Sequence, residues 1–300
     1  MPTTGSHPRS RVATTLPPNK SRSMQGKISS KIQFKRQIEK FVADRGFTLA
    51  NSKKPNAIKA LLHALHPVTT RFDLTRLGQP SDGGYVIPND LEGLVACFSP
   101  GVDVKTSFEA DLAARSIPCY LADASVEGPA TAHPLIHFEK KFLGVVEDQT
   151  TITLDKWVDA NAPGDGDLLL QMDIEGAEWP VMLNVSDAVL KRFRIIVLEL
   201  HGMERLLDPF AFDVIAATMN RLLEHFHVVH LHPNNHIPPH AGQGLTLPRD
   251  MEMSLLRRDR APATGYASFF PHPLDVANCP ELPDYPLPRD WYRATAEAIH

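Results

Sequence analysis

The 300-residue sequence has few cysteines and no long apolar run. Three cysteines, Cys97, Cys119 and Cys279, are too few and too scattered for a disulfide framework or a thiolate zinc site. No stretch approaches the ~20 apolar residues of a membrane span, and the first residues lack the apolar core of a secretory signal. A GxSxG elbow, a Walker loop and a DxDxDG calcium loop are also missing, which argues against hydrolases and nucleoside triphosphatases. These absences favour a cytoplasmic protein with no membrane span.

The remaining composition is that of a globular protein, but its charge is unevenly distributed. Apolar residues make up 43% of the sequence and charged residues 22%. Residues 1–60 contain 13 Lys or Arg and 2 Asp or Glu, whereas residues 61–300 contain 18 and 33. A basic arm of this kind binds nucleic acid, an anionic membrane surface or an acidic partner, or stays solvated and binds nothing. The acidic body argues against nucleic acid as the partner.

The order of these patterns along the chain predicts one main domain with extensions. Residues 1–26 are predicted to be a disordered basic arm, because they are rich in Ser, Thr, Pro and Arg. Residues 27–67 contain apolar residues at helical spacing and form a predicted helical extension, suited to a lid or a homodimer surface. Residues 68–258 alternate short apolar strands with helices, and residues 259–300, with their many prolines, are predicted to be a tail packed on the domain.

Within the main domain, the alternation predicts an α/β fold with a mostly parallel sheet. Asp208-Pro209 is a strong helix start, and Thr106-Ser-Phe-Glu109 has the pattern of a capping box. The predicted strands cover residues 94–99, 118–122, 167–172, 195–200, 226–232 and 251–257.

Two residues after neighbouring strands indicate a nucleoside-containing cofactor. Gly101 follows the first strand and allows a sharp turn with close backbone approach to a ligand. Asp123 follows the second strand 22 positions later, which is the spacing of a carboxylate that binds both ribose hydroxyls. The lone glycine disfavours a dinucleotide, and an ordinary strand-to-helix turn is the alternative interpretation.

Two further carboxylates follow the third apolar strand. Asp173 and Glu175 alternate beyond its end and should project into or beside the crevice at the strand ends. A half-buried carboxylate is costly unless it is paired, binds a metal or takes part in chemistry. A structural helix-capping role is the alternative.

The run from Met172 to Trp179, Met-Asp-Ile-Glu-Gly-Ala-Glu-Trp, is the most specific of a series of segments that resemble one family. The sequence resembles the FkbM-like family of S-adenosylmethionine (SAM)-dependent methyltransferases, of the class I Rossmann-like kind. The matching segments are residues 81–86, 98–109, 121–123, 153–157, 169–179, 197–202, 231–235 and 251–253.

The resemblance implies a doubly wound, seven-stranded, mostly parallel sheet whose last strand is antiparallel and lies between its two predecessors. It also implies SAM as the cofactor and a set of residues near it. The residues assigned to cofactor binding are Ser99, Gly101 and Asp103 at the methionine end, Asp123 at the ribose, Asp148 near the adenine, and Glu109.

The implied topology brings a second group of polar residues to the same edge of the sheet. Glu252, at the start of an antiparallel last strand, would approach His201 on one side and His230 or His232 on the other. With Asp173, the set Asp173, His201, His232 and Glu252 suits a divalent metal such as Mg²⁺. Alternatively, His201 is a general base, or the histidines only form structural hydrogen bonds.

Taken together, these patterns predict O-methylation of a small-molecule or carbohydrate hydroxyl, with Asp173, His201 and Glu175 as catalytic residues. A base or a metal would raise the nucleophilicity of the hydroxyl. Three other functions remain open: a nucleic-acid methyltransferase that uses the basic arm, an NAD-dependent oxidoreductase, and a non-catalytic binding protein of the same fold.

Overall fold

The structure is a computed structural model that describes residues 20–46, 51–102, 104–130 and 132–292. Side chains are described from residue 32 onward. The described residues separate into two compact units, and the second begins at Ser52. The site and its supporting structure lie in this second unit.

Seven α-helices and fifteen strands are present in the described residues. The helices are α1 (Lys20–Ala43), α2 (Pro55–Ala64), α3 (Ser107–Ala113), α4 (Leu154–Asn161), α5 (Glu178–Asn184), α6 (Asp187–Leu190) and α7 (Pro209–His225). The strands are β1 (Val68–Thr69), β2 (Leu74–Leu77), β3 (Tyr85–Pro88), β4 (Ala96–Pro100), β5 (Cys119–Ala122), β6 (Ile136–Glu139), β7 (Phe142–Gly144), β8 (Thr151–Thr153), β9 (Leu168–Met172), β10 (Phe193–Leu200), β11 (Phe226–Pro233), β12 (His240–Gly242), β13 (Leu245–Leu247), β14 (Met251–Arg257) and β15 (Gly265–Tyr266). Short 3-10 helices cover Met203–Leu207 and Arg289–Trp291.

A seven-stranded sheet in the order β11-β14-β10-β9-β4-β5-β6 forms the centre of the second unit. Strands β6, β5, β4, β9 and β10 are parallel to their neighbours in this order. Strand β14 is antiparallel and lies between β10 and β11. The mostly parallel sheet is confirmed, and an inserted antiparallel last strand is the arrangement that the family resemblance implied.

Both faces of this sheet are buried, which explains the nearly continuous apolar runs of its central strands. Along β9, Leu168 and Leu170 belong to one apolar cluster, and Leu169 belongs to the other. Helices α2, α4, α5 and α7 contribute to the first cluster. Helix α3 and the β2–β3 hairpin contribute to the second. Alternation along each strand therefore sends successive side chains into two separate cores.

Local sequence signals located two helix starts correctly, but only one of the two predicted caps forms. Asp208 caps α7, because its side chain accepts a hydrogen bond from the backbone N–H of Ala211 at 2.8 Å. The predicted capping box at Thr106 does not form, since the side chain of Thr106 makes no capping hydrogen bond. Its expected partner, Glu109, instead contacts the buried Ser99. A tertiary contact has replaced the local one.

The helical extension predicted over residues 27–67 is divided between the two units. Helix α1 begins at Lys20, within the predicted disordered arm 1–26, of which residues 1–19 lie outside the described residues. Helix α2 belongs to the second unit, where Ile58 and Leu62 are fully buried in the first apolar cluster. None of the helices in the described residues combines the length and hydropathy needed to cross a lipid bilayer.

The proline-rich segment after Arg257 lies along the sheet and contributes buried groups to it. Trp291, from its last 3-10 helix, is fully buried in the first apolar cluster. Asn235, at the end of β11, is also fully buried and binds the backbone of this segment. Its amide donates to the carbonyls of Cys279 and Leu282 at 2.9 and 3.1 Å, and its oxygen accepts from the N–H of Cys279 at 2.8 Å.

Replacing Asn235 should release this segment. Asn235→Ala leaves buried backbone groups without partners, so we expect a loss of about 2 kcal/mol in the free energy of unfolding. Limited proteolysis should also cut residues 275–285 earlier than in the unchanged protein. The control is Asn184→Ala, at an exposed position. Equal stability and equal protease resistance of the two variants would contradict this assignment.

Candidate active site

Three of the predicted site residues meet at the carboxyl edge of the sheet. Pro100 is paired with Ala122, so Gly101 and Asp123 follow neighbouring positions on β4 and β5. The backbone N–H of Gly101 donates to the carbonyl of Ala122 at 3.0 Å. On the other side of β4, the N–H of Asp173 donates to the carbonyl of Pro100 at 3.2 Å. The strand register thus gathers Gly101, Asp123 and Asp173 at one place.

Only glycine fits at position 101, because of its own backbone conformation and the neighbouring backbone of Asp173. Its φ is +79°, a left-handed conformation that glycine adopts without steric strain. A Cβ atom at this position would lie 1.5 Å from the carbonyl oxygen of Asp173. The predicted sharp turn is therefore present, and the close approach it permits is to the end of β9.

A small cavity of about 60 Å³ opens beside this contact. Three carboxyl groups and one lysine line it, together with glycines, aromatic side chains and an amide. The residues are Asp82, Gly83, Tyr85, Gly101, Val102, Lys105, Phe108, Glu109, Gln171 and Asp173. The excess of acidic groups suits a cationic ligand.

A buried hydrogen-bonded chain forms one wall of the cavity. The hydroxyl of Ser99 contacts the side-chain oxygens of both Glu109 and Gln171, and the Gln171 amide donates to the Tyr85 hydroxyl at 3.2 Å. Burial raises the pKa of Glu109, although the hydrogen bond from Ser99 opposes this. The Ser99 hydroxyl has one proton and cannot donate to both oxygens. If Glu109 is protonated and donates to Ser99 Oγ, the Ser99 hydroxyl can donate to the Gln171 oxygen, and both contacts are hydrogen bonds.

Asp173 lies between the cavity and the end of β10. Burial raises its pKa to about 7, and Glu175 and Glu178 add to the effect, while His201 opposes it. Its Oδ1 lies 3.7 Å from Nε2 of His201. A carboxyl group with a pKa near neutrality is suited to exchange a proton at physiological pH.

His201 is held in its charged form by a buried carboxylate. Its Nδ1 lies 3.2 Å from Oε1 of Glu178, which is fully buried and also accepts from the N–H of Ile174 at 2.8 Å. Burial alone would lower the pKa of His201, but Glu178 and Asp173 raise it to about 9. His201 is therefore mostly an imidazolium at pH 7.

Glu175 lies on the solvent-exposed side of the His201 imidazole. Its side chain is 89% exposed, and its Oε2 lies 3.6 Å from Nε2 of His201. Its φ of +57° is uncommon for a residue other than glycine. Asp173, Glu175 and Glu178 thus surround one imidazole, two at Nε2 and one at Nδ1.

The four residues predicted to share a metal are divided between two places. Asp173 and His201 lie together with Glu178, and one ligand atom from each falls within 4.8 Å of the others. His232 and Glu252 instead face the C-terminal segment, where His232 Nε2 lies 3.0 Å from Asp284 Oδ1. The structure therefore separates the predicted set into two pairs, and metal binding by these residues stays a prediction.

The second group has its own buried partners. Nδ1 of His232 lies 3.8 Å from Oε2 of Glu252, and Oε1 of Glu252 accepts from the Asn278 amide at 2.7 Å. Burial would lower the pKa of His232, but Asp284 and Glu252 raise it to about 10. These contacts fasten the C-terminal segment to β14 and β11.

The remaining predicted cofactor residues differ in their surroundings. Asp123 is mostly buried, and its Oδ1 accepts from the N–H and the hydroxyl of Ser125 at 2.7 and 2.6 Å. The side chain of Asp148 accepts hydrogen bonds from Thr150 and Thr151 in the turn that follows it. These hydrogen bonds lower the pKa of Asp148. Asp103 lies outside the described residues.

Several residues of the site were not assigned a role from the sequence. Tyr85, Asp82 and Lys105 line the cavity, and Glu178 binds His201. Glu178 belongs to the motif after β9 and is the first residue of α5. Only the packing of α5 against the end of β10 shows that this carboxylate faces an imidazole.

A comparison with known protein families matches a segment that contains several residues of this site. Residues 105–226 match the family model described as the Methyltransferase FkbM domain. This segment includes Asp123, Asp173 and His201, and it confirms the resemblance found in the sequence. Residues 105–226 are therefore similar to an FkbM methyltransferase domain. A search of curated proteins found no match.

The contact between Gly101 and Asp173 can be tested by adding one methyl group. Gly101→Ala should lower the free energy of unfolding by at least about 3 kcal/mol, because it adds a steric clash to an unfavourable φ. Gly244→Ala is the matched control, since its φ is +74° and its Cβ would have open space. Urea unfolding of both variants measures the difference. Equal losses would show that the strand ends are further apart.

The charge of His201 should depend on Glu178. In Glu178→Gln the hydrogen bonds can remain while the negative charge is lost, so we expect the pKa of His201 to fall from about 9 by at least about one unit. A histidine titration followed by NMR measures this change. Glu224→Gln, at an exposed position on α7, is the control. An unchanged midpoint in Glu178→Gln would contradict the assignment.

Proposed function

We propose that this protein is a SAM-dependent O-methyltransferase that acts on a hydroxyl group of a small molecule, with Asp173 as the general base. One observation carries the proposal. The Asp173–His201 pair lies between the acidic cavity at the end of β4 and a second cavity beside α7, with 3.7 Å between the two side chains. A cofactor on one side and an acceptor on the other would meet at this pair.

The residues at the strand ends fit SAM in their chemistry. The cavity lined by Asp82 and Asp173 suits the ammonium and sulfonium charges of the methionine end. The cavity is smaller than the whole cofactor, so the nucleoside would extend along the strand ends toward Asp123. The other Asp123 oxygen, Oδ2, makes no hydrogen bond with the described residues and is the candidate ribose ligand. The antiparallel strand β14 between β10 and β11 is the arrangement that the class I resemblance implied, which supports the proposal.

When bound, SAM supplies an electrophilic methyl group and a thioether leaving group, which takes the electrons of the S–CH₃ bond. The acceptor oxygen forms the new O–CH₃ bond and loses a proton. We assign that proton to Asp173, whose pKa of about 7 allows it to act near neutrality. His201, as an imidazolium, favours the carboxylate form of Asp173 and orients it. Asp173 thus takes the role of general base that the sequence analysis gave to His201.

A divalent metal is the second candidate route, favoured by the grouping of Asp173, Glu178 and His201. Oε2 of Glu178 is buried and makes no hydrogen bond within the described part of the chain, so it has capacity for another partner. These three residues would hold the ion, with His201 losing its proton on binding, and a metal such as Mg²⁺ would lower the pKa of the acceptor hydroxyl. The two routes differ in their response to a chelator.

The rival functions differ in the ligand that binds. An NAD-dependent oxidoreductase would bind NAD more tightly than SAM, and calorimetric titration with each compound separates the two. A nucleic-acid methyltransferase would bind nucleic acid with steep salt dependence and lose that binding when residues 1–30 are deleted. A non-catalytic relative would bind SAM weakly and transfer no methyl group.

Asp173→Asn tests the proposed base. We expect kcat to fall by about 100-fold or more, while the Kd for SAM changes by less than about threefold. In the unchanged protein the rate should rise with pH through about 7, because Asp173 must lose its proton, and should persist in excess EDTA. Asp159→Asn, at an exposed position on α4, is the control.

Full activity in Asp173→Asn would remove both the base and the metal route. Activity that disappears in EDTA and returns with Mg²⁺ would replace the base by the metal. Failure of the unchanged protein to bind SAM in calorimetry would overturn the proposed function as a whole.

A further inference from the structure

A second and larger cavity, of about 330 Å³, opens on the other side of His201. It lies between the end of β9, the loop after β10 and the first turns of α7. Its volume falls within the range of small-molecule sites. Its lining is unevenly divided between polar and apolar groups, and this division indicates what kind of acceptor it takes.

Two polar side chains of the lining, His201 and Glu175, contact each other. Nε2 of His201 lies 3.6 Å from Oε2 of Glu175 and 3.7 Å from Oδ1 of Asp173. A hydroxyl placed beside His201 would therefore lie next to the proposed base. Arg205, also in the lining, is exposed.

The rest of the cavity offers an apolar surface. Trp179, Val214 and Ile215 form part of it, and Phe210 adds a side chain that is 79% exposed. The indole N–H of Trp179 is already used, since it donates to the carbonyl of His201 at 2.9 Å. Trp179 therefore presents mainly its apolar ring to a ligand.

The position of Phe210 follows from the helix start. Asp208 caps α7 and Pro209 occupies its first turn, which places Phe210 at the exposed helix end beside the cavity. A large apolar side chain next to a cavity is an effective contact for an apolar ligand, because binding removes it from water.

A sugar fits such a surface poorly. A pyranose carries hydroxyl groups around its whole ring, and each hydroxyl that enters an apolar surface without a partner loses its hydrogen bonds to water. An alcohol or phenol with one hydroxyl on a hydrocarbon body suits both the polar and the apolar lining of this cavity.

We propose that the acceptor is an apolar alcohol or phenol, whose hydroxyl lies at His201 and Asp173 and whose aromatic or aliphatic body packs on Trp179, Phe210 and Val214. This inference rests on the proposed methyl transfer at the same site. It narrows the acceptor from small molecules and carbohydrates in general to compounds with an apolar body.

The test compares two probes and two variants. The probes are 3-phenylpropan-1-ol and methyl glucopyranoside, each measured for binding by calorimetry and for methylation with labelled SAM. Phe210→Ser removes an apolar side chain that is 79% exposed, and Phe269→Ser is the matched control at 78% exposure in the C-terminal segment. Both positions are exposed enough for the variants to fold.

We expect 3-phenylpropan-1-ol to bind the unchanged protein at least about tenfold more tightly than the glucoside. Phe210→Ser should weaken its binding about fivefold or more and raise KM more than it lowers kcat, because it removes ground-state contact. Phe269→Ser should change neither value by more than about twofold.

Two results would overturn the inference. One is binding or methylation of the glucoside as good as that of the aromatic alcohol. The other is an equal effect of Phe210→Ser and Phe269→Ser. Either result would leave the proposed methyl transfer standing if a hydroxyl is methylated. Conversely, selective binding of the aromatic alcohol that depends on Phe210, without any methyl transfer, would support the apolar site and contradict the proposed function.

Discussion

The close approach of two strand ends is the constraint on which the site depends. The N–H of Asp173 bonds to the carbonyl of Pro100, and the Asp173 carbonyl occupies the space where Gly101 would carry a Cβ. This contact holds the ends of β4 and β9 together and sets the position of the Asp173 side chain. A wider separation would detach the acidic cavity from the imidazole beside it.

The electrostatics of the site follow from that position. Asp173 is buried among other carboxylates, which raises its pKa to about 7, and His201 opposes the shift. Glu178 keeps His201 charged from the opposite ring nitrogen. The arrangement is mutually dependent, because removing either charge changes the protonation of its neighbour. It gives one half-buried carboxyl group a protonation equilibrium in the range useful for catalysis.

The sequence predicted the strands and helices well, but it predicted the hydrogen-bond partners of polar side chains less well. Strand β14 was predicted at its observed bounds and helix α7 at its observed start, since an apolar strand pattern and a capping Asp-Pro pair are local signals. The capping box at Thr106 failed because Glu109 bonds to Ser99 on a neighbouring strand. The predicted metal set is divided between two places, because His201 contacts Glu178 on α5 whereas His232 contacts Asp284.

Local periodicity was enough to predict the α/β class, its mostly parallel sheet and the positions of Asp123 and Asp173 at strand ends, because the apolar pattern of a buried strand is a local property. The resemblance of residues 105–226 to the FkbM methyltransferase domain rests on the residues of particular motifs. Tertiary structure alone decided the partner of each polar side chain, the pKa values of Asp173 and His201, and the apolar cavity beside Phe210. These properties depend on desolvation and on distances of 3–4 Å between residues from different elements, which no local pattern specifies.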